Sequence, residues 1–596
     1  MSVPDYFDRV NPDLLALIPP DAKVVLEIGC GAGALCEAYR RINPGVAWYG
    51  VEPDFDARVE GNRPGRCNYV HGGPVESCDF DDGDFPEDPV DVLVLGDVLE
   101  HLHDPWSQLH RLTRLIKPGA LILACIPNIG HWTVIRDLMA GKWTYTDEGL
   151  MDRTHLRFFT LESIVATFQD AGLQIDSIMG RDICNEGLED WISESGIPYT
   201  NQIRAYQYVV RAVKPDVRLY GGHAGPGMSR GALDGQPFAH ATIQHLHIHA
   251  ITDGTVCERP RIHEPFAALR TIPGASTSWC KLEESCDPLT QYVPADIDSI
   301  LILQRFQGWG GRLDDSLRDL FEQRHRCVVV AEWDDNPECF PALPAVDFAP
   351  LRNVHAVQCS TEPLAEVCRR YNPNVMVFEN QIAELGPLKE QTGRDSIHIF
   401  YGALNREADW APIMPALNRV IDGRHSKLWF SVVHDKAFYD ALDTMHKSFT
   451  PFCDYDQYRS LLRACDIALL PLEPSEFNAC KSDIKFLEGA AEGVAVLASE
   501  TVYGDTFQVF NPTLPLVAMT YHATNPFKLA LERLIRDVEL RRHMTSNAYA
   551  YVCNHRMLGQ HFRKRYQWYV SLIRQREDLH ASLLERAPAY QALPTR

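Results

Sequence analysis

Two stretches of this chain carry residue types whose spacing suits chemistry. The first is Val24-Val25-Leu26-Glu27-Ile28-Gly29-Cys30-Gly31-Ala32-Gly33. An apolar run of strand type enters a turn with glycine at every second position, where a backbone without Cβ atoms can approach a ligand closely. Gly29, Gly31 and Ala34 also satisfy the looser G-x-G-x-x-A dinucleotide fingerprint. Glu27 at the strand end argues against that use, because a carboxylate repels a pyrophosphate and suits a cationic or amine-bearing ligand. The second stretch runs from Phe477 to Ser499. A polar loop enters a helix bearing Lys481, Lys485 and Glu488, and a glycine turn then leads into an apolar strand. A helix N-terminus favours phosphate oxygens, and the lysines add to that. Glu488, one turn further in, suits ribose hydroxyls. A surface helix with a Lys-to-Glu pair, contributing about a few tenths of a kcal/mol, would account for the side chains but not for loop, helix and strand arriving together.

Two further clusters present titratable groups. The segment Asp152-Arg153-Thr154-His155-Leu156-Arg157-Phe158-Phe159-Thr160 offers His155 as a general base, since imidazole titrates near working pH. The alternative is that His155 and Arg157 anchor a lid while Thr160 caps a helix. Asp97-Val98-Leu99-Glu100-His101 offers His101 as a second base; Asp97 and Glu100 share a face only if that turn is helical.

The elements that must position these residues alternate between strand and helix patterns, which predicts an α/β protein with parallel sheets. Strands are predicted at Lys23–Ile28, Trp48–Glu52, Asp91–Leu95 and Ala120–Ile126, with a helix from Asp104 to Ile116. After a helix at Leu161–Ala171, Gln174–Met179 and Ala205–Val213 read as an antiparallel pair at the sheet edge. Residues 214–242 are rich in Gly and Pro without an apolar period and read as a linker. Alternation resumes at His245–Ile251, Ser299–Gln304, Cys327–Glu332 and Ala356–Ser360. A break at Glu384–Arg394 separates these from Ile397–Tyr401, Lys427–Val433, Ile467–Pro471 and Ala495–Ser499, and a helical tail begins near Pro526. The expected organisation is therefore residues 1–213, a linker at 214–242, and two α/β parts at 243–392 and 393–596.

At 596 residues the chain exceeds what one core can serve. Its 45% hydrophobic and 23% charged content is that of a soluble globular protein, and a net charge of -23 excludes a nucleic-acid binder, which needs a basic surface. The 17 cysteines lack paired spacing and read as reduced thiols, hence a cytoplasmic chain. The first ten residues lack a signal-peptide pattern, and no apolar run approaches the ~20 residues of a membrane span. The tail segment Phe562–Tyr569 mixes cations with aromatics and reads either as a peripheral contact at the inner face of the membrane or as a helix packing back onto residues 243–392.

On the residues quoted, positions 1–213 resemble a class I S-adenosylmethionine-dependent methyltransferase. Glu27 with Gly29, Gly31 and Gly33 matches its first motif; Glu52, ending Trp48-Tyr49-Gly50-Val51-Glu52, matches the acid that receives both ribose hydroxyls; and Gly96-Asp97-Val98-Leu99-Glu100-His101-Leu102 matches the motif after the next cofactor strand. The resemblance implies a Rossmann-like seven-stranded sheet, S-adenosylmethionine as cofactor, and Glu27, Gly29, Gly31, Gly33, Glu52 and Asp97 as its binding residues. His155 and His101 are the catalytic candidates. Asp97, Glu100 and His101 resemble an acidic-histidine cluster that binds a divalent ion in some O-methyltransferases, but no metal ligand is assigned. Where such enzymes often carry an Asp near the adenine, this chain reads His71-Gly72-Gly73-Pro74-Val75-Glu76.

Residues 243–590 resemble a GT-B, GT4-like retaining glycosyltransferase built from two Rossmann-like domains, an acceptor domain followed by a donor domain. Glu488 matches its ribose-binding glutamate, and the resemblance implies that Lys481, Lys485, Gly402 and Arg406 attend a nucleotide sugar, with no obligatory metal. Glu407-Ala408-Asp409-Trp410 follows Arg406 where the family carries a lysine, which departs from the pattern. Asp334 and Asp335 read either as acceptor contacts or as caps of the following turn. Together these resemblances imply a bifunctional transferase that methylates a hydroxyl of a sugar or related small acceptor and transfers a glycosyl group to a glycan or lipid-linked glycan. An active methyltransferase carrying an inactive glycan-binding module, and a non-catalytic dinucleotide-binding scaffold, are the competing readings.

Overall fold

Period-2 alternation within single strands decides the layering. In β1 (Val24–Ile28) Val24, Leu26 and Ile28 enter one hydrophobic cluster and Val25 enters another on the opposite face. Both faces are covered, the condition under which parallel strands are stable. A computed structural model describes residues 5–80, 85, 88–183, 185–195, 201–215, 245–252, 254, 257–281, 298–305, 327–389, 396–423, 428–503 and 518–587. The chain forms two compact units, Met1–Ile243 with Thr271–Gly274, and Gln244–Arg270 with Ala275–Arg596. Most of the expected linker, residues 216–242, lies outside the described residues.

The first unit contains β1, β2 (Ala47–Glu52), β3 (Tyr69–Gly72), β4 (Val90–Gly96), β5 (Ile116–Pro127), β6 (Gln174–Arg181) and β7 (Gln207–Val213), in the order β3-β2-β1-β4-β5-β7-β6. Only β7 runs antiparallel to its neighbours, β5 on one side and β6 on the other. The strand order reverses between β1 and β4, so a crevice opens there at the carboxyl ends of the strands. The helix expected to reach Ile116 stops at Leu112, having begun at Pro105 on an Asp104 cap. Its last expected residue instead opens β5, where Ile116 pairs with Val90 ahead of a register shift.

The second unit holds two parallel sheets. The first comprises β8 (Leu246–Thr252), β9 (Ala275–Lys281), β10 (Asp298–Gln304), β11 (Val328–Trp333), β12 (Ala356–Cys359) and β13 (Val375–Val377), ordered β13-β12-β11-β10-β8-β9. The second comprises β14 (Ile397–Gly402), β15 (Leu428–Val433), β16 (Lys447–Thr450), β17 (Ile467–Leu470), β18 (Ala495–Ser499) and β19 (Met519–Tyr521), ordered β16-β15-β14-β17-β18-β19. Both are Rossmann-like, with crossover helices supplying the second layer.

The tail helix Leu558–Arg574 packs back onto the first of these sheets. Phe562, Arg565 and Tyr569 are buried, the Arg565 guanidinium lies over the Phe378 ring at 4.6 Å, and the Tyr569 hydroxyl donates to Gln358 at 2.8 Å. Those aromatics are therefore not offered to a membrane, which corrects that reading of the tail. Among the described residues no helix is long and apolar enough to cross a membrane. Just before this helix, Arg556 binds both carboxylate oxygens of Asp483, at 2.7 and 2.9 Å, and the Asn380 carbonyl at 2.8 Å. Removing one partner of a buried pair strands the other charge, at a cost of about 3–5 kcal/mol. Arg556→Ala is expected to lower the urea midpoint of the second unit by that equivalent, whereas substitution of the exposed Arg563 leaves the midpoint in place.

Candidate functional site

The glycine turn after β1 can be built only from glycine. Gly29, Gly31 and Gly33 all have left-handed φ, of 71°, 52° and 82°. A Cβ on Gly31 would meet the Phe7 carbonyl oxygen at 2.5 Å. Gly33 then caps the helix Ala34–Arg40. The turn is tied across the crevice: the Gly31 N–H donates to Glu52 Oε2 at 2.8 Å, and the Asp54 N–H donates to Glu52 Oε1 at 2.8 Å. Each Glu52 oxygen keeps a further lone pair. Glu27 receives the indole N–H of Trp48 at 3.0 Å, a partner invisible in the sequence motif.

Four acidic residues gather at the carboxyl ends of β1, β2 and β4. Glu27, Glu52 and Glu100 are buried, and Asp97 adopts a left-handed φ of 52° just past β4. Burial raises the carboxyl pKa of Glu27 and Glu52, and it pushes Asp97 up to about 6 although Arg181 and a 2.7 Å hydrogen bond from Gln207 oppose it. Glu100 is raised by burial first and by the Asp97 charge second. Carboxylates desolvated in this way favour a cationic ligand over an anionic one.

The acceptor side is assembled by chain return. The Glu100 carbonyl accepts the N–H groups of Leu156 at 2.8 Å and Arg157 at 3.0 Å. That brings the His155 ring to 4.9 Å from the His101 ring. Nδ1 of His155 lies 3.3 Å from the Leu150 carbonyl, and Nδ1 of His101 lies 3.3 Å from the Thr154 carbonyl. A carbonyl only accepts, so the Nδ1 facing it donates; the Thr154 hydroxyl also lies 3.2 Å from Nδ1 of His101. Burial, with the neighbouring His101 second, lowers the His155 pKa. Thr160 caps the helix Leu161–Asp170, as expected of it. Leu150 also lines a cavity of about 200 Å³, together with Val134, Trp143, Met151 and Tyr206.

In the second unit, each cation singled out from the sequence has an anionic partner. Arg406 binds Asp409 at 3.0 Å and the Asn478 side-chain oxygen at 2.8 Å, and Asp409 in turn receives the Asn478 amide at 2.7 Å. Lys481 pairs with Asp335, which also pairs with Arg305. Lys485 bonds the Tyr458 hydroxyl at 2.9 Å and Glu488 at 3.1 Å; burial alone would lower its pKa, but the Glu488 charge and the Tyr458 contact raise it. Gly402 has space problems of its own, because a Cβ there would lie 2.7 Å from the rings of Phe400 and Tyr458. Asp334 and Asp335 thus face Arg305 and Lys481, and it is Asn336 that caps the next turn.

Residues 5–178 match a family model described as a methyltransferase domain. The chain is 34% identical over 119 residues to the ubiquinone biosynthesis O-methyltransferase of Erwinia tasmaniensis, a stretch covering 19% of this chain and 47% of that protein. It is 26% identical over 162 residues to the protein of the same name in Maricaulis maris, covering 26% of this chain and 61% of that one. The matched stretch thus spans less than two thirds of these relatives. Among solved structures, a putative methyltransferase from Bacillus halodurans aligns at 15% identity and a TM-score of 0.25, over 35% of this chain and 100% of its own. A structure of TarM aligns at 11% identity and a TM-score of 0.35, over 46% of this chain and 54% of its own. The similarity to methyltransferases thus lies in the N-terminal part of the chain, over residues 5–178.

Glu264, at the start of the helix Glu264–Leu269, faces Arg259 at 3.3 Å and feels Glu488; burial outweighs Arg259 and raises its pKa to about 7. A carboxyl raised on folding holds its proton in the native state between its ordinary value and about 7. Stability of the second unit is therefore expected to fall as pH rises through that window, by up to about 3 kcal/mol, and to level off above it. Urea midpoints taken from pH 4.5 to 7.5 should show the slope in the wild type and its loss in Glu264→Gln.

Proposed function

We propose that the first unit methylates a hydroxyl of a sugar or related small acceptor and that the second transfers a glycosyl group from a nucleotide sugar, within assembly of a surface polysaccharide or glycolipid. The observation that carries the first half is the set of buried carboxylates around a turn only glycine can make. Glu52 keeps a free lone pair on each oxygen for two vicinal hydroxyls, and the buried carboxyls of Glu27 and Asp97, raised in pKa while empty, would ionise against a sulfonium or an amine. Gly29, Gly31 and Gly33 give that ligand backbone rather than side chains to rest against. When bound, S-adenosylmethionine supplies a methyl group activated by the sulfonium. The chain's own part is to orient the acceptor and ease loss of its hydroxyl proton. In this reading His155 and His101 are the candidate bases, and His155 is tied through Nδ1 to the carbonyl of Leu150, a residue that lines the cavity. That the Erwinia tasmaniensis relative is by name an O-methyltransferase supports oxygen as the methylated atom.

For the second half, support comes from the segment 475–483, with its short helix Glu476–Ala479, which leads into the helix Ile484–Ala491 and is tied through Asn478 to Arg406 just past β14. In this reading Glu488 receives the ribose, Gly402 and Arg406 flank the donor, and Lys481 and Lys485 meet its phosphates. The pairing of all three cations with carboxylates supports a second reading, in which this unit binds a glycan without catalysis.

Calorimetric titration of the intact chain with S-adenosylhomocysteine and a panel of nucleoside diphosphates separates these readings. Two sites are expected, the first weakened about tenfold or more by Glu52→Ala and the second by Glu488→Ala, as loss of a hydrogen bond to a charged group requires. Absence of any nucleotide site would move the second unit to the glycan-binding reading, and absence of the first site would overturn the methyl-transfer reading.

A further inference from the structure

Most buried cations of the second unit are answered by a partner. Arg261 faces Glu332, Arg459 faces Glu492 and Arg556 faces Asp483. Arg541 donates to the Leu534 and Ile535 carbonyls at a helix end, where the dipole favours a cation. Arg565, on the tail helix Leu558–Arg574, is answered less fully. It is 4% exposed, and its Nη1 has no hydrogen-bond partner among the described residues. The Phe378 ring beneath it, with its centroid at 4.6 Å, compensates a cation only in part. The carboxylate that acts on it, Glu332, is already taken: one oxygen receives Arg261 Nε at 2.6 Å and the other receives Gln358. Burial lowers the Arg565 pKa and the Arg261 charge adds to that, against Tyr569 and Glu332. A guanidinium nevertheless stays charged in a protein. Two guanidiniums therefore share one carboxylate, and one buried positive charge is left over. That condition is unfavourable, and a buried charge is ordinarily met by an opposite one.

The unused hydrogen-bonding groups nearby are mostly donors. Arg261, 1% exposed, spends Nη1 on the Phe378 carbonyl and on Asn380, at 2.6 and 2.9 Å, and keeps Nη2 without a partner. Gln304, 3% exposed, has no partner at either atom of its amide. Gln304 stands beside Glu332 in the parallel register, and Glu332 beside Gln358. The three therefore share one face of the sheet, the face that Arg261 reaches through Glu332 and the tail helix through Tyr569.

We propose that one small monovalent anion, of halide size, sits against this face, held by the spare N–H groups of Arg565, Arg261 and Gln304. A single negative charge cancels the excess, whereas a dianion would reverse it. Compactness follows from the burial of all three side chains. N–H groups of charged donors bind an anion more strongly than neutral ones do. Water would serve the donors but leave the charge. The anion joins the last helix of the chain to β10 and β11, so its concentration sets how firmly the tail is held. This site depends on neither of the transfer reactions proposed above.

The test follows the urea midpoint of the second unit in the full chain at fixed ionic strength, as sodium gluconate is replaced stepwise by sodium chloride or bromide. The wild-type midpoint should rise and saturate. Arg565→Met keeps an apolar stem over Phe378 and removes the charge; it should weaken the apparent halide affinity at least about tenfold. In gluconate alone its midpoint should match or exceed that of the wild type, because no buried charge is then left unpaired. A flat wild-type curve, as water in the site would give, overturns the proposal. So does an unchanged halide response in Arg565→Met, or a variant midpoint well below the wild type's in gluconate, which would make Arg565 a packing residue. Should the variant fail to fold, bromide-soaked crystals of the wild-type chain decide. An anomalous peak within hydrogen-bond distance of Arg565 and Arg261 is expected, and its absence overturns the site.

Discussion

The backbone carbonyl of Glu100 is the constraint on which the acceptor side of the first unit depends. It accepts two N–H groups from a segment more than fifty residues further along, and that closure sets His155 beside His101. Each such bond contributes only about 1 kcal/mol net, yet an unmade bond in a buried place costs more than a made one returns. The segment's other ties are of the same kind: Thr154 fixes His101, Asp152 receives the Thr154 N–H at 2.7 Å, and Asn128 bridges to Phe159. The cofactor side is organised differently. There the strand ends and the left-handed glycine turn do the positioning, and the side chains are carboxylates whose charge the fold desolvates.

The second unit repeats neither arrangement. Its polar interior is a chain of compensated charges. Arg261, 1% exposed, binds Glu332 at 2.6 Å, the Phe378 carbonyl at 2.6 Å and Asn380 at 2.9 Å, and the other oxygen of Glu332 receives Gln358, which the tail helix reaches through Tyr569. Buried pairs of this sort add little net stability, because desolvation consumes much of the attraction, but losing one partner is costly. The Arg406, Lys481 and Lys485 pairs follow the same rule at the edge of the donor loop.

How much of this was legible in the sequence depended on burial. The central strands β1, β4, β10, β11 and β18 announce themselves as apolar runs because both faces are covered. The strands that escaped, β3, β9, β13, β16 and β19, all lie at sheet edges, are short or half-exposed, and carry mixed side chains such as those of Lys447–Thr450. An edge strand has one pairing partner and needs little apolar surface, so it leaves a faint pattern. In the sites, local geometry was readable: the glycine turn and the Thr160 cap follow from spacing. What depends on distant partners was not. Nothing in the order of residues says that Trp48 holds Glu27, that Asp335 meets Lys481, or that Thr154 orients His101.

The position of β7 has a bearing on how the protein is made. Last of the seven strands to be synthesised, it does not add to an edge but occupies an interior slot, bonded to β5 along one side and to β6 along the other. Until residue 213 has left the ribosome, β5 presents an unpaired apolar border and β6 has no sheet to join. At translation rates of about 5–20 residues per second, that interval lasts seconds, long enough for an open border to find a wrong strand. The first unit therefore closes as a latch closes, by its final segment, and only after that segment is in place does the nascent chain carry a finished sheet while the second unit is still being polymerised.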